Sequence, residues 1–412
     1  MIDRFYSPGM KLGHLRCGPL GSHIDGFASL LSDQGYAIHT GRQKIRLVAD
    51  LSAWLGNRRL DIRVLDEVQN GEFLKRRKKQ LLLQRGDGRT LVQLLHHLRQ
   101  TGIIPSPGEV VGDNPVDRIT RDYAHFLSHQ RGLCQVTIDS YLPIAQRFLE
   151  TRFGSEKVCL GKLRVGDVTD FIVRDSSTFC PKMVQLTTTA LRSFLGFLTH
   201  EGKIAANLAA SVPTVANWRL SELPQFLEPA QVEHLLSSCD QNRPSGRRDY
   251  AVLLLLARLG LRAGEVVHLT LENINWAAGE VLIRGKSARE DRLPLLPEVG
   301  QALADYLKRD RPACSCRRVF IRTQAPRRGF SGPSAICCIL RRALARAQLH
   351  PPHKGAHLLR RSLATKMLRG GASLTQIGEV LRHQLAQTTE IYAKVDLVAL
   401  RALARPWPGG VR

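Results

Sequence analysis

The chain has 412 residues, 43% of them apolar, which argues against a disordered chain and allows roughly two to four packed domains. Its 60 Lys and Arg against 36 Asp and Glu give a formal net charge of +24 spread along the whole length. That balance attracts a duplex, although a solvated basic surface, or ribosomal or membrane-surface association, would look the same. No run of about 18 uncharged apolar residues is present to span a bilayer, and the N-terminus lacks a secretory pattern. Nine cysteines without paired Cys-x-x-Cys spacing read as reduced thiols, not as a disulfide framework or a zinc site. A cytoplasmic protein is expected.

The N-terminal half repeats itself. Leu31-Ser32-Asp33-Gln34-Gly35 recurs as Leu127-Ser128-His129-Gln130 with Gly132 one place later, and Val64-Leu65-Asp66-Glu67-Val68 with Phe73 parallels Leu163 to Val168 with Phe171. Leu91, Leu94, Leu95, Leu98, Gly102 and Ile104 then parallel Leu191, Phe194, Leu195, Leu198, Gly202 and Ile204. Apolar residues at helical spacing, with glycine after the last turn of each copy, predict two similar all-helical units over about residues 20–106 and 115–213. Arg42, Lys44, Arg46 and Lys75 to Lys79 in the first unit are candidates for phosphate contact, as are Arg118, Arg121, Arg131, Arg147, Lys182 and Arg192 in the second. Such contacts position a duplex without reading its sequence.

The Pro-containing stretch from Val212 to Pro224 reads as a hinge. Beyond it, the apolar run Ala251 to Ala257, closed by Arg258, is a buried core helix that stops at Gly260 and leaves Arg262 in the turn before the next helix. Val281 to Arg284 and Arg292 to Leu295 read as two strands, joined by a turn that begins Gly285-Lys286-Ser287. His357 and Arg360, three residues apart, share one helical face and can both reach one phosphate. Their helix halts at Gly370-Gly371, and Ser373-Leu374-Thr375-Gln376 is a capping box that opens the next. That helix ends near Leu381-Arg382-His383, so His383 lies at a helix C-terminus, where the dipole favours its cationic form. Tyr392 follows nine residues later; in most chains such a tyrosine would be an ordinary half-buried helix aromatic.

Transfer of a phosphodiester to a phenol needs cationic donors on the non-bridging oxygens, a proton donor for the leaving alcohol and an exposed nucleophile. Each has a candidate here. Taken singly these residues are ordinary, but Arg262, Lys286, His357, Arg360, His383 and Tyr392, in this order and among these glycines and apolar blocks, resemble the tyrosine recombinase (phage integrase) family. The resemblance covers about residues 115–400. It has two departures: Arg361 stands where many relatives carry histidine, and Arg382 stands where glycine is common.

The fold this resemblance implies is mainly α, with tandem helical (SAM-like) N-terminal domains and a mostly helical catalytic domain that holds a small antiparallel β-sheet. The domains would be 1–108, a duplicate of the core-binding domain; 115–213, the core-binding domain itself; and 225–412, the catalytic domain. The implied activity is site-specific DNA recombination, as an integrase or mobile-element transposase, through a 3′-phosphotyrosyl link that conserves bond energy and needs no cofactor or metal. Tyr392 would be the nucleophile, with Arg262, Arg360 and His383 stabilising the phosphorane. Lys286 would protonate the leaving oxygen, His357 would serve as acid/base, and Glu265 would orient Arg262 or a neighbouring histidine. The implied partner is double-stranded DNA, bound by a homotetramer on paired sites, with or without other recombinases. The segment Val395 to Leu403, with its apolar helix-like stripe, would dock on a neighbouring protomer or pack on its own domain. A type IB topoisomerase and a non-catalytic DNA-binding relative remain the alternatives.

Overall fold

A computed structural model describes residues 2–6, 12–105, 114–154, 157–205, 207–215, 223–285, 290–395 and 400–401. Most of the hinge, Lys286 and most of the segment after Tyr392 lie outside the described residues. The chain forms two compact units, Met1–Ile104 with Leu220–Arg412, and Pro105–Arg219. No described helix is long and apolar enough to cross a membrane.

The first unit begins with four helices, α1 (Ile24–Asp33), α2 (Ile38–Asn57), α3 (Glu67–Lys79) and α4 (Asp87–Gln100). Their inward faces bury Phe27, Leu51, Trp54, Phe73, Leu94 and Leu98, as the three-to-four spacing of those residues requires. Asp66 caps α3 by accepting the Gln69 N–H at 2.9 Å. This bundle meets the C-terminal part of its unit where the Arg327 N–H donates to the Gln34 carbonyl at 2.8 Å.

The second unit is α5 (Pro115–His125), α6 (Gln135–Phe153), α7 (Val165–Thr178) and α8 (Pro181–His200), around Tyr123, Phe148, Phe171, Phe194 and Phe197. Its element order matches that of the first bundle. Both bundles place a short 3-10 turn before their third helix, Ile62–Val64 and Leu160–Lys162. Both close their first and last helices on left-handed glycines, Gly35 and Gly102 in one, Gly132 and Gly202 in the other. The one extra residue before Gly132 is absorbed by a π-helical turn, Phe126–Gln130, that continues α5.

The C-terminal part packs α9 (Pro229–Ser237), α10 (Pro244–Arg258), α11 (Ala263–His268), α12 (Pro297–Arg309) and α13 (Pro333–Arg346) around the apolar run of α10. Residues Ala251 to Leu256 are fully buried. The sheet has three antiparallel strands, one more than the sequence predicts: β1 (Ile274–Asn275), β2 (Glu280–Arg284) and β3 (Glu290–Pro294), in the order β1-β2-β3. The added strand is a two-residue bridge, too short to leave an alternating pattern. Two further helices, α14 (His357–Arg369) and α15 (Leu374–Val380), carry the end of the chain and build a smaller apolar cluster of Ala364, Ile377, Leu381 and Tyr392.

Candidate active site

The site starts at the end of α10. Gly260 has φ +58°, and a Cβ there would stand 2.8 Å from Cδ2 of Leu381 and 3.1 Å from Cδ2 of Leu363. Glycine therefore serves twice, for the left-handed turn and for the close approach to the α14 and α15 side chains. The turn delivers Arg262 to the N-cap of α11, where Glu265 accepts its backbone N–H at 2.8 Å and its Nη1 at 2.7 Å. Nη2 of Arg262 donates to the Arg382 carbonyl at 3.2 Å. Arg262 thus lies in the predicted turn, and Glu265 orients it.

Arg360, one turn into α14, is 3% exposed. Its guanidinium donates to the carbonyls of Gly260 and Leu381, tying the end of α10 to the end of α15. Burial, and then the charges of Arg262 and Arg382, pull its pKa down to about 10, so it remains a cation at neutral pH. His357 is the first residue of the same helix and is exposed. Helical spacing puts the two residues one turn apart, as expected, yet at different depths: the imidazole faces outward and the guanidinium is buried.

The capping box forms as predicted, with Ser373 Oγ accepting the Gln376 N–H at 3.2 Å and Gln376 Oε1 accepting the Ser373 N–H at 2.8 Å. After α15 the chain turns through Arg382 at φ +54° into His383. Nδ1 of His383 is 2.7 Å from the Thr389 hydroxyl. Its pKa is pushed down to about 4, by burial first and then by Arg360, Arg262 and Arg382. The cationic histidine expected from the helix dipole is therefore a neutral one. A dipole supplies about half a charge at a helix end, and α15 has only seven residues, whereas three whole guanidinium charges oppose it. In the tautomer whose Nδ1 accepts the Thr389 hydroxyl, Nε2–H is left as a neutral donor.

Tyr392 sits in a 3-10 turn, Glu390–Val395, and is 4% exposed. The expectation of an exposed nucleophile is thus corrected. The ring completes the apolar cluster with Ala364, Ile377 and Leu381. Burial raises the pKa of the phenol, and the charges of Arg360 and Arg361 act against that rise. Arg361, the first departure from the family pattern, is therefore electrostatically part of the site.

Lys286 belongs to the loop between β2 and β3, outside the described residues. The strand that follows that loop does reach the site, because Asp291 of β3 lines the same cleft as Arg382, His383 and Thr389. Sequence reasoning missed two participants. Thr389 carries no recognisable signal. Arg382 carried one, as an arginine in a glycine position, and its side chain lies in the site, 2.8 Å from Oε2 of Glu265.

The phage integrase family profile matches residues 225–397. The chain is 45% identical over 394 residues to a Sinorhizobium fredii protein named "Putative integrase/recombinase y4rA", with 95% of each chain covered. It is 30% identical to the tyrosine recombinase XerD of Listeria innocua, over 68% of this chain and 95% of that one. In fold it is similar to the XerH site-specific recombinase in a post-cleavage complex with its palindromic difH substrate. That likeness has a TM-score of 0.55 at 17% identity and covers 81% of this chain and 93% of the other.

Proposed function

This chain belongs to the phage integrase family of tyrosine recombinases and is a site-specific DNA recombinase, and from that premise we propose that Tyr392 is the residue that becomes joined to DNA. Its phenolic oxygen attacks the scissile phosphorus as the bond to the 5′-oxygen breaks, leaving a 3′-phosphotyrosyl link and a free 5′-hydroxyl. The 5′-hydroxyl of the partner strand then reverses the step, so the number of phosphodiester bonds is unchanged and no ATP is consumed. His357 takes the phenolic proton and Lys286 gives one to the leaving oxygen. Arg262 and Arg360 stabilise the phosphorane as cations, and His383 does so as a neutral donor.

The observation that carries this reading is the corner Leu381–His383. It accepts Arg360 at the Leu381 carbonyl and Arg262 at the Arg382 carbonyl, contributes His383, and packs Leu381 against Tyr392. In the structure Arg360 is engaged with carbonyls and Tyr392 is covered. The reaction therefore requires duplex DNA to uncover Tyr392, while the carbonyl contacts hold Arg360 in place and leave its other N–H donors for the phosphate. Residues 115–213 act as the core-binding domain and 225–412 as the catalytic domain. Residues 1–108, with the same helix order as the core-binding domain, act as a second DNA-binding module. Four protomers meet on two duplex sites in the cytoplasm.

The test of the reading is strand exchange. Purified protein incubated with two copies of the DNA flanking its own gene should yield recombinant joints without ATP. Relaxation of any supercoiled plasmid without joints would move the assignment to topoisomerase chemistry.

A further inference from the structure

Arg382 breaks three local rules at once. Its φ of +54° places a side chain in the left-handed region that glycine enters freely. Its side chain is only 6% exposed, and its Nε is buried with no acceptor among the described residues. None of this is required to turn the chain, since glycine would make the same corner without strain.

What the arginine adds is a second cation on Glu265. Its Nη2 lies 2.8 Å from Oε2 of that carboxylate, whose Oε1 is 2.7 Å from Nη1 of Arg262. The Arg382 carbonyl also accepts from Nη2 of Arg262 at 3.2 Å. Arg262 is thus held at both ends by two residues that are themselves paired. Burial would raise the pKa of Glu265, yet it is lowered, by the charge of Arg382 together with the hydrogen bonds and charge of Arg262.

We propose that Arg382 is a positioning residue for phosphoryl transfer, sharing Glu265 with Arg262 so that Arg262 is fixed in direction while its charge stays available to the scissile phosphate. The inference rests on the assignment of Arg262 to that phosphate. With glycine at position 382, Glu265 would answer Arg262 alone, one carboxylate cancelling one guanidinium. With Arg382, the three guanidiniums of Arg262, Arg360 and Arg382 against the one carboxylate of Glu265 leave a net charge of +2 for the anionic phosphorane, where glycine at position 382 would leave +1.

The experiment compares single-turnover cleavage of a nicked core-site substrate that carries either the natural scissile phosphate or a methylphosphonate, which lacks one anionic oxygen. Full-length Arg382→Met, Arg382→Lys and Arg382→Gly are measured beside the parent, each with its melting temperature. Arg382→Met should slow cleavage of the phosphate on the order of tenfold, less than the 10²–10³ that follows loss of a direct oxyanion donor. It should slow the methylphosphonate several-fold less, and Arg382→Lys should recover part of the loss. Arg382→Gly relieves the left-handed strain and keeps the chain folded, and it should show the same substrate dependence as Arg382→Met. Equal losses on both substrates, or no loss on either, would overturn the proposal. Arg262→Ala keeps the two readings apart. If it cleaves the phosphate at the parental rate, the assignment of Arg262 fails; if it alone loses cleavage while Arg382→Met and Arg382→Gly keep theirs, only the role of Arg382 fails.

Discussion

Nδ1 of His383 lies 2.7 Å from the hydroxyl of Thr389, in a position where burial first and then the charges of Arg360, Arg262 and Arg382 hold the imidazole neutral. The folded pKa of His383 is about 4, against an ordinary value of 6.5. Below pH 6.5 the unfolded chain takes up a proton that the folded chain refuses, so this residue's contribution to stability is complete above about 6.5 and is lost as pH falls toward 4. Thermal melts of the parent should therefore decline over that window more steeply than those of His383→Gln. Parallel declines would mean that His383 is not held neutral.

Gly260→Ala tests the junction between α10 and α15. A left-handed alanine costs about 1–2 kcal/mol, and its methyl group would press on Leu381 and Leu363 at an overpacking cost of about 1–3 kcal/mol. Gly279, also left-handed at φ +64° but with nothing near its Cβ, is the control. Denaturant titration should show Gly260→Ala losing clearly more stability than Gly279→Ala, along with cleavage activity, because the Gly260 carbonyl is a partner of Arg360. Equal losses would remove the close-packing argument.

Much of this was legible in the sequence because it is written in local rules. The stop at Gly260, the capping box at Ser373 and the paired strands around Lys286 follow from turn and cap chemistry within a few residues. The depth of Tyr392, the neutral state of His383 and the pairing of Arg382 with Glu265 do not. The pairing of Arg382 with Glu265 joins side chains more than a hundred positions apart, the state of His383 follows from burial and the sum of several charges, and the depth of Tyr392 follows from how α14 and α15 pack; no residue spacing records these. The phosphate-contact candidates divide in the same way. Arg77 pairs with Asp50 and Asp87, Arg147 pairs with Asp175, and Arg192 donates to the Val212 carbonyl, so these hold their own bundles together.

Lys286 separates proton donation from charge stabilisation. Lys286→Ala should cleave the natural substrate poorly and be partly rescued by a 5′-bridging sulfur, a leaving group that needs no proton. Arg262→Ala and Arg360→Ala should gain no such rescue. Equal rescue of all three would sink the division of roles.

The first bundle offers a cleaner surface than its composition suggested. Lys75, Arg76, Lys78 and Lys79 are exposed at the end of α3, whereas Lys44 is directed to Thr90 and Gln93. Replacing those four exposed residues with alanine should shorten the footprint and lower the slope of log affinity against log salt by up to about 0.9 for each phosphate no longer neutralised. Cleavage of a core site should persist. An unchanged slope and footprint would assign this bundle to contacts between proteins.

The central claim is that Tyr392 becomes covalently joined to DNA, and the most direct measurement is the identity of the residue in the trapped adduct. A nicked substrate that loses its 5′-hydroxyl fragment should trap the parent protein, and digestion followed by mass spectrometry should find the 3′-phosphate on Tyr392. Tyr392→Phe should form no adduct while binding the site with parental affinity, since it removes one hydroxyl and no cation. Tyr306 is buried, with its hydroxyl accepting the Ile321 N–H at 3.1 Å, and Tyr250 packs against the apolar core. An adduct that persists in Tyr392→Phe, or a phosphate found on either of those tyrosines, would contradict the account.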